Sequence, residues 1–314
     1  MDRISGEVPD TLGREPSILA FRSQPVRTRR YLQLDVFADR PGAGNPLGVV
    51  LDAADLDAAQ MQAFAAWTNL SETIFFLPPT SAQADYHVRI FTPRQELPFA
   101  GHPSVGAAWA AVETGIAPER EALVQECAAG LLPVQVSGQG PQRLIHLRAP
   151  HARPLPADLQ SSQLRAVIES LPLSRQAPAL WNNGPSWWLL ELTDAAAVRA
   201  LQPDLAAMAA LSRATGAVGV AVFAPVRGEE FDLVVRAFCP ADNIPEDPVT
   251  GSVNACIAAA LHADARLPGH DRRYVASQGR ELGRDGRVSI RVDEQAEVWI
   301  GGQVQAVIAG SATW

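Results

Sequence analysis

Moving the chain against itself by 147 positions brings Asp85, Val88, Arg89, Phe91, Pro93 and Pro98 onto Asp232, Val235, Arg236, Phe238, Pro240 and Pro245, identical and without a gap. The same shift lays the strand-like run ETIFFLPP (Glu72 to Pro79) over GVAVFAPV (Gly219 to Val226). A pattern repeated at that distance restricts the chain to architectures of two similar units, each closing round its own core. With 314 residues and 47% hydrophobic side chains, there is apolar material for both.

Each half runs through the same order of elements. In the first, LGVVL reads as a strand and the segment from Asp52 to Asn69 as an amphipathic helix, with Leu56, Met61, Phe64 and Ala65 on one side. TIFFL and YHVRIF follow as strands. The second half repeats this with SWWLLEL, a helix from Asp204 to Ala214, GVAVFA and FDLVVRAF. Pro93 and Pro240 then break the ladder, and a small-residue helix follows in each half, HPSVGAAWAAVETG or TGSVNACIAAALHAD. Neither carries charge over its first three turns, and a helix of that kind belongs inside a protein.

The expected fold is α+β: two lobes related by a pseudo-twofold axis, each a curved sheet or barrel round a central helix, with a cleft between them. Residues 1–28 are expected as an N-terminal extension, 29–128 as the first lobe and 129–300 as the second. The last strand, within 301–314, can return to the first lobe. Asp285-Gly286 is expected as the turn of a late hairpin.

If both central helices begin at the lobe interface, their first backbone N–H groups, near Gly101 and His102 and near Gly251 and Ser252, face one ligand from two sides. That arrangement traps an anion. Glycine at 101 and 251 lets a carboxylate approach the backbone. The plainer reading is two ordinary helix starts, capped by Thr250 or Ser252. Glu72, in NLSETIFF, is either a turn-capping glutamate or a general base lifted in pKa by apolar neighbours such as Ile74 and Phe75. Its counterpart at the repeat spacing is Gly219, so the second half lacks it.

His102, held at a first turn by Pro103, and Asp247, before Pro248, read plainly as a structural histidine and an N-cap. In an active cleft the two instead grip polar groups of a substrate and relay protons, leaving Glu246 to face solvent. Asn45 in GAGNPLG is a turn residue by default and an amide for a ligand otherwise. Arg89 and Arg236 most simply bridge an aspartate or the lobe backbone.

A net charge of -8 with interspersed signs argues against a nucleic-acid surface and for small-molecule partners. Cys127, Cys239 and Cys256 share no metal-ligand spacing and make no disulfide framework, which fits a reducing, cytoplasmic setting. Nowhere do eighteen apolar residues follow one another, so no membrane span is expected. No glycine-rich loop has phosphate-binding spacing, and no nucleophile elbow accompanies Ser252.

The segments VFADRPGAGNPLGVV, NLSETIFF, RIFTPRQELPFAGHPSVGAAW, RAFCPADNIPEDPVTGS and QGRELGRDGRVSI resemble, in order and spacing, the PhzF-like phenazine-biosynthesis family, from about residue 32 to the end. The resemblance implies the diaminopimelate epimerase fold and a homodimer. It also implies a cofactor-independent, metal-free isomerase that moves a proton on a small carboxylate such as trans-2,3-dihydro-3-hydroxyanthranilate. By motif, Glu72 is then the base and returning acid, and His102 and Asp247 position the substrate and handle protons. Gly101, Gly251 and Ser252 hold its carboxylate, and Asn45 lies near the pocket. Asn243 stands where many members have glycine. An epimerase or racemase of amino or hydroxy acids is the second enzyme reading, weakened because neither helix start offers a thiol. A catalytically silent ligand-binding protein is the reading from outside enzymology.

Overall fold

A computed structural model describes residues 26–314. The expected extension over 1–28 lies outside the described residues but for its last three, and Thr28 already opens a strand. The first lobe contains β1 (Thr28–Val36), β2 (Asn45–Val50), α1 (Ala58–Thr68), β3 (Glu72–Leu77), β4 (Tyr86–Phe91), β5 (Glu96–Leu97), α2 (Gly101–Glu113), β6 (Ala122–Cys127), β7 (Gly130–Ser137) and β8 (Leu144–Arg148). The second contains β9 (Arg153–Leu155), α3 (Ser162–Ile168), β10 (Ala179–Asn182), β11 (Ser186–Glu191), α4 (Ala195–Ala200), α5 (Leu205–Thr215), β12 (Gly219–Pro225), β13 (Leu233–Cys239), β14 (Ile244–Asp247), α6 (Gly251–Ala263), β15 (Arg273–Gln278), β16 (Gly286–Val292) and β17 (Val298–Gly302). The final strand, β18 (Val304–Thr313), returns to the first lobe and pairs with β1.

The pairings repeat strand for strand. β2 and β3 run parallel, as do β11 and β12; β4 and β6 run parallel, as do β13 and β15. β18 lies antiparallel to β1 as β9 does to β10. The lobes join where β8 and β17 pair antiparallel, Leu147 opposite Ile300 and His146 opposite Gly301. A boundary at 128/129 is therefore corrected. It would cut the β6–β7 hairpin, in which Cys127 faces Gly130, and the chain passes to the second lobe only between Arg148 and Arg153.

Inside each lobe the sheet wraps its small-residue helix. α2 is buried from His102 to Val112, and in α6 Val253 to Ala258 are buried. Alanine and glycine let strands approach on all sides, and the strands answer with alternating burial, as along β16. Outside the first sheet, α1 lays Met61 and Phe64 on Phe75 and Phe91. It starts at Ala58 rather than Asp52, because Asp57 and Gln60 form a capping box and Asp52 and Asp55 are engaged by Arg30 and Arg29. α5 has Asp204 as its N-cap and left-handed Gly216 as its C-cap.

Two expectations need adjustment. Asp285-Gly286 is not a two-residue turn: residues 279–285 link β15 to β16 through a 3₁₀ turn, and Asp285 accepts from Arg280 and Arg287. The repeat also changes spacing. Arg89 pairs with Glu96 and Arg236 with Glu246, and α2 and α6 begin at 101 and 251, so beyond the strands the matching distance is 150. The three extra residues fall in the link between β13 and β14, which folds as the 3₁₀ turn Pro240–Asp242 closed by Asn243 at φ 62. Asparagine tolerates that left-handed conformation better than most residues do. Among the described residues, no helix is long and apolar enough to cross a membrane.

Candidate active site

α2 and α6 meet N-terminus to N-terminus beneath Ile300 of β17. A Cβ on Gly251 would lie 2.8 Å from Ile300 Cδ1 and 3.6 Å from the Gly101 Cα, while one on Gly101 would lie 3.2 Å from the same Cδ1. Both positions need glycine for closeness of approach. Neither start is capped by a side chain. Thr250 occupies the N-cap position of α6, but its hydroxyl donates to Asp247 instead. Ser252 Oγ accepts from Trp187 Nε1 at 3.1 Å, and its carbonyl accepts from Asn183 Nδ2 at 3.0 Å. The first-turn amides of two buried helices thus converge without side-chain caps, where the positive ends of both helix dipoles add.

Titratable groups from both lobes gather beside this junction. Glu72 is the first residue of β3, and its Oε2 approaches His102 Nδ1, on the first turn of α2, to 3.5 Å. Among the described residues neither Glu72 Oε2 nor His102 Nε2 has a hydrogen-bond partner, although both atoms are buried. Asn45, the first residue of β2, donates through Nδ2 to Asp247 Oδ1 at 3.2 Å and to the Val249 carbonyl at 3.0 Å, and its Oδ1 accepts from Ser71 Oγ at 3.2 Å. This chain of bonds ties the two lobes together.

Burial governs the protonation of all three groups. It pushes the Glu72 carboxyl up to about 7, opposed only in part by the Ser71 hydroxyl. Asp247 is raised to about 6 by burial against the Thr250 hydroxyl, with the nearby Glu72 charge adding to the rise. His102 is held down to about 4 by burial, which outweighs the pull of Asp247. His102 is therefore neutral at pH 7, and its contact with Glu72 is no ion pair.

The structure brings Asn45, Glu72, His102 and Asp247 together beside Gly101, Gly251 and Ser252. At the 150 spacing Ser252 is the counterpart of His102 and Leu97 that of Asp247, while Glu72 matches Gly219, so no titratable group has a twin. Glu246 does not face solvent as expected. Arg236, also bonded to the Val198 and Leu201 carbonyls, takes it in a two-pronged pair and leaves its side chain only 8% exposed.

Sequence reasoning assigned nothing to Gln278, which is the hub of the second-lobe side. Its Nε2 donates to the Asp247 carbonyl at 3.0 Å and to Thr250 Oγ1 at 2.9 Å, while its Oε1 accepts from Thr250 N and Asn254 Nδ2, each at 3.1 Å. The only local signal was its place before Gly279. Trp187 and Asn183 were also missed, since a tryptophan in an apolar strand reads as core.

The cysteines lie elsewhere. Cys127, Cys239 and Cys256 are free and buried, and burial raises all three thiols, that of Cys256 to about 12. A thiol so raised is a poor base.

Two sheet-wrapped lobes, with one unduplicated set of acid and base groups at facing helix ends, define a protein of the epimerase-like α+β class. The chain belongs to the PhzF family: residues 34–310 match the family described as phenazine biosynthesis-like protein. An uncharacterized isomerase from Deinococcus radiodurans is 34% identical over 95% of this chain and 96% of its own. The trans-2,3-dihydro-3-hydroxyanthranilate isomerase of Pseudomonas aeruginosa is 32% identical over 85% of this chain and 92% of its own. Among solved structures, a PhzF-family phenazine biosynthesis protein from Enterococcus faecalis superposes with a TM-score of 0.72 at 28% identity, covering 92% of this chain and all of that one.

Proposed function

We propose that the protein is a cofactor-independent isomerase moving one proton on a small carboxylate, with Glu72 as the base that takes the proton and the acid that returns it. The observation that carries this is the buried Glu72 Oε2, without a partner and 3.5 Å from a neutral imidazole, at the meeting point of two uncapped helix starts. The substrate carboxylate binds the amides near Gly101, Gly251 and Ser252. Glu72 draws a proton from a C–H activated by conjugation, and the electron pair moves into the adjoining π system. That charge is met by the helix amides and by a hydrogen bond from His102. The protonated Glu72, whose proton exchanges with solvent, then gives a proton to another carbon on the same face, so no oxidant or second reactant is needed. Asp247, held by Asn45 and Thr250, positions the polar groups of the substrate.

A carboxyl at about 7 is ionised often enough to abstract and acidic enough to return a proton at neutral pH. Trans-2,3-dihydro-3-hydroxyanthranilate, the compound named for the Pseudomonas relative, is the first substrate to try. An epimerase working through opposed thiols fits less well, because the thiols are buried and raised. The proposal extends to a cytoplasmic homodimer, supported by the three free thiols and by the outer edge of β18, where Val307 and Ile308 are about half exposed.

The test is Glu72→Gln, measured for turnover and for substrate binding by calorimetry. Turnover should fall by about 10²- to 10⁴-fold while binding persists. Unchanged turnover would remove Glu72 from the chemistry.

A further inference from the structure

One groove among the described residues stands apart from the acid–base cluster. It lies on the other face of the sheet, at the β8–β17 seam, encloses about 580 Å³, and takes its walls from both lobes: Gln135 and His146 from the first, Arg273, Ser289 and Arg291 from the second. Consecutive residues of β17 divide the two places. Ile300 packs over Gly101 and Gly251, whereas a Cβ on Gly301 would come within 2.7 Å of the His146 ring. The absent side chain lets the imidazole lie across the seam, where Nε2 meets Ser289 Oγ at 3.1 Å.

The charge of this groove runs against that of the chain, which is -8 overall. Arg273 and Arg291 stand directly opposite each other on β15 and β16. Like charges in that register repel. Among the described residues neither the exposed Arg273 nor the half-buried Arg291 has a carboxylate within salt-bridge distance, although sixteen such contacts exist and each buried arginine, Arg29, Arg143 and Arg236, uses one. Arg291 donates to the neutral Gln135 amide at 2.9 Å, lies 5.0 Å over the Trp299 ring, and keeps its Nε buried without an acceptor. Burial and the two guanidinium charges hold His146 down to about 4. Glu121 is the sole carboxylate among the lining residues, and it is exposed.

We infer that this groove is a second binding site, for a small molecule bearing an oxyanion, either phosphate or carboxylate, held between Arg273 and Arg291 with Ser289 and Gln135 as neutral partners. Paired guanidinium groups suit such an anion, and the volume is that of a small-molecule site. The ligand would remove the repulsion within the pair and bridge strands of both lobes.

Titration calorimetry on the full chain at constant ionic strength tests this, with inorganic phosphate and succinate as probes. One probe should bind saturably, identifying the anion class, and should bind about tenfold more weakly in Arg273→Gln and in Arg291→Gln. Glu121→Gln should tighten it, a change that a structural role for the arginines would not produce. The Arg273 side chain makes no hydrogen bond among the described residues, so its replacement leaves the fold intact even if Arg291→Gln does not. Absence of saturable binding by either probe overturns the inference, as does binding of equal strength in Arg273→Gln, which would assign the anion to the helix ends instead.

Discussion

Of the ionisable side chains in the cluster, Glu72 has the least to hold its charge: burial works against it and, among the described residues, Oε2 has no donor. Two consequences follow at the level of this residue. A base must be deprotonated to act, so kcat/KM should rise with pH through an apparent pKa near 7, and a pH–rate profile checks it. For stability, the folded-state value lies above the ordinary 4.5, so the native state binds the extra proton between those limits and loses stability as pH rises through them. Asp247, raised from 3.8 to about 6, acts in the same direction. His102 and His146, lowered from 6.5 to about 4, act oppositely and add stability as pH rises between those values. The difference between Glu72→Gln and wild type isolates the first effect. The variant should gain stability relative to wild type from about pH 4.5 to 7 and hold a constant advantage above, as read by denaturant unfolding at several pH values. Glu72 was legible as a candidate from its apolar neighbours, but its environment was not, because His102, Asn45 and Asp247 reach it from distant parts of the chain.

Among the elements, the meeting of α2 and α6 leaves no room for side chains. Gly251→Ala should be the harsher of the two glycine replacements, since its Cβ falls 2.8 Å from Ile300 Cδ1 against 3.2 Å for Gly101→Ala. A loss of about 1–3 kcal/mol by denaturant unfolding is expected for the first. Ile300→Val, which removes that Cδ1, should recover part of it in a double-mutant cycle. Gln278→Ala should cost a similar amount, about 1–3 kcal/mol, by leaving buried Thr250 and Asn254 groups unpaired. The element order could be read from the repeat because apolar alternation and uncharged helices are local signals. The change of spacing from 147 to 150 could not, because a 3₁₀ turn of three residues leaves no hydrophobic period behind. Gln278 escaped for a related reason: its partners lie 24 to 31 residues away, and no local pattern marks a hub.

For the whole molecule, the strands sort into two matched sets that share one seam, β8 against β17, and the C-terminal strand completes the lobe in which the chain begins. The division at residue 128 misplaced β7 and β8 because a hairpin between lobes and one within a lobe look alike in sequence. Among the described residues β18 leaves its outer edge unpaired, and Ile308→Lys should halve the mass measured by light scattering if that edge joins two copies. The duplicated frame brings two uncapped helix ends together, while Glu72, His102 and Asp247 have no twins. With the single base proposed, a proton leaves and returns on one face. The most direct measurement is proton NMR in deuterated water with trans-2,3-dihydro-3-hydroxyanthranilate, for wild type beside Glu72→Gln. The prediction is conversion with deuterium entering one ring carbon, on one face, in the wild type and not in the variant. Conversion or exchange that persists in Glu72→Gln would contradict it.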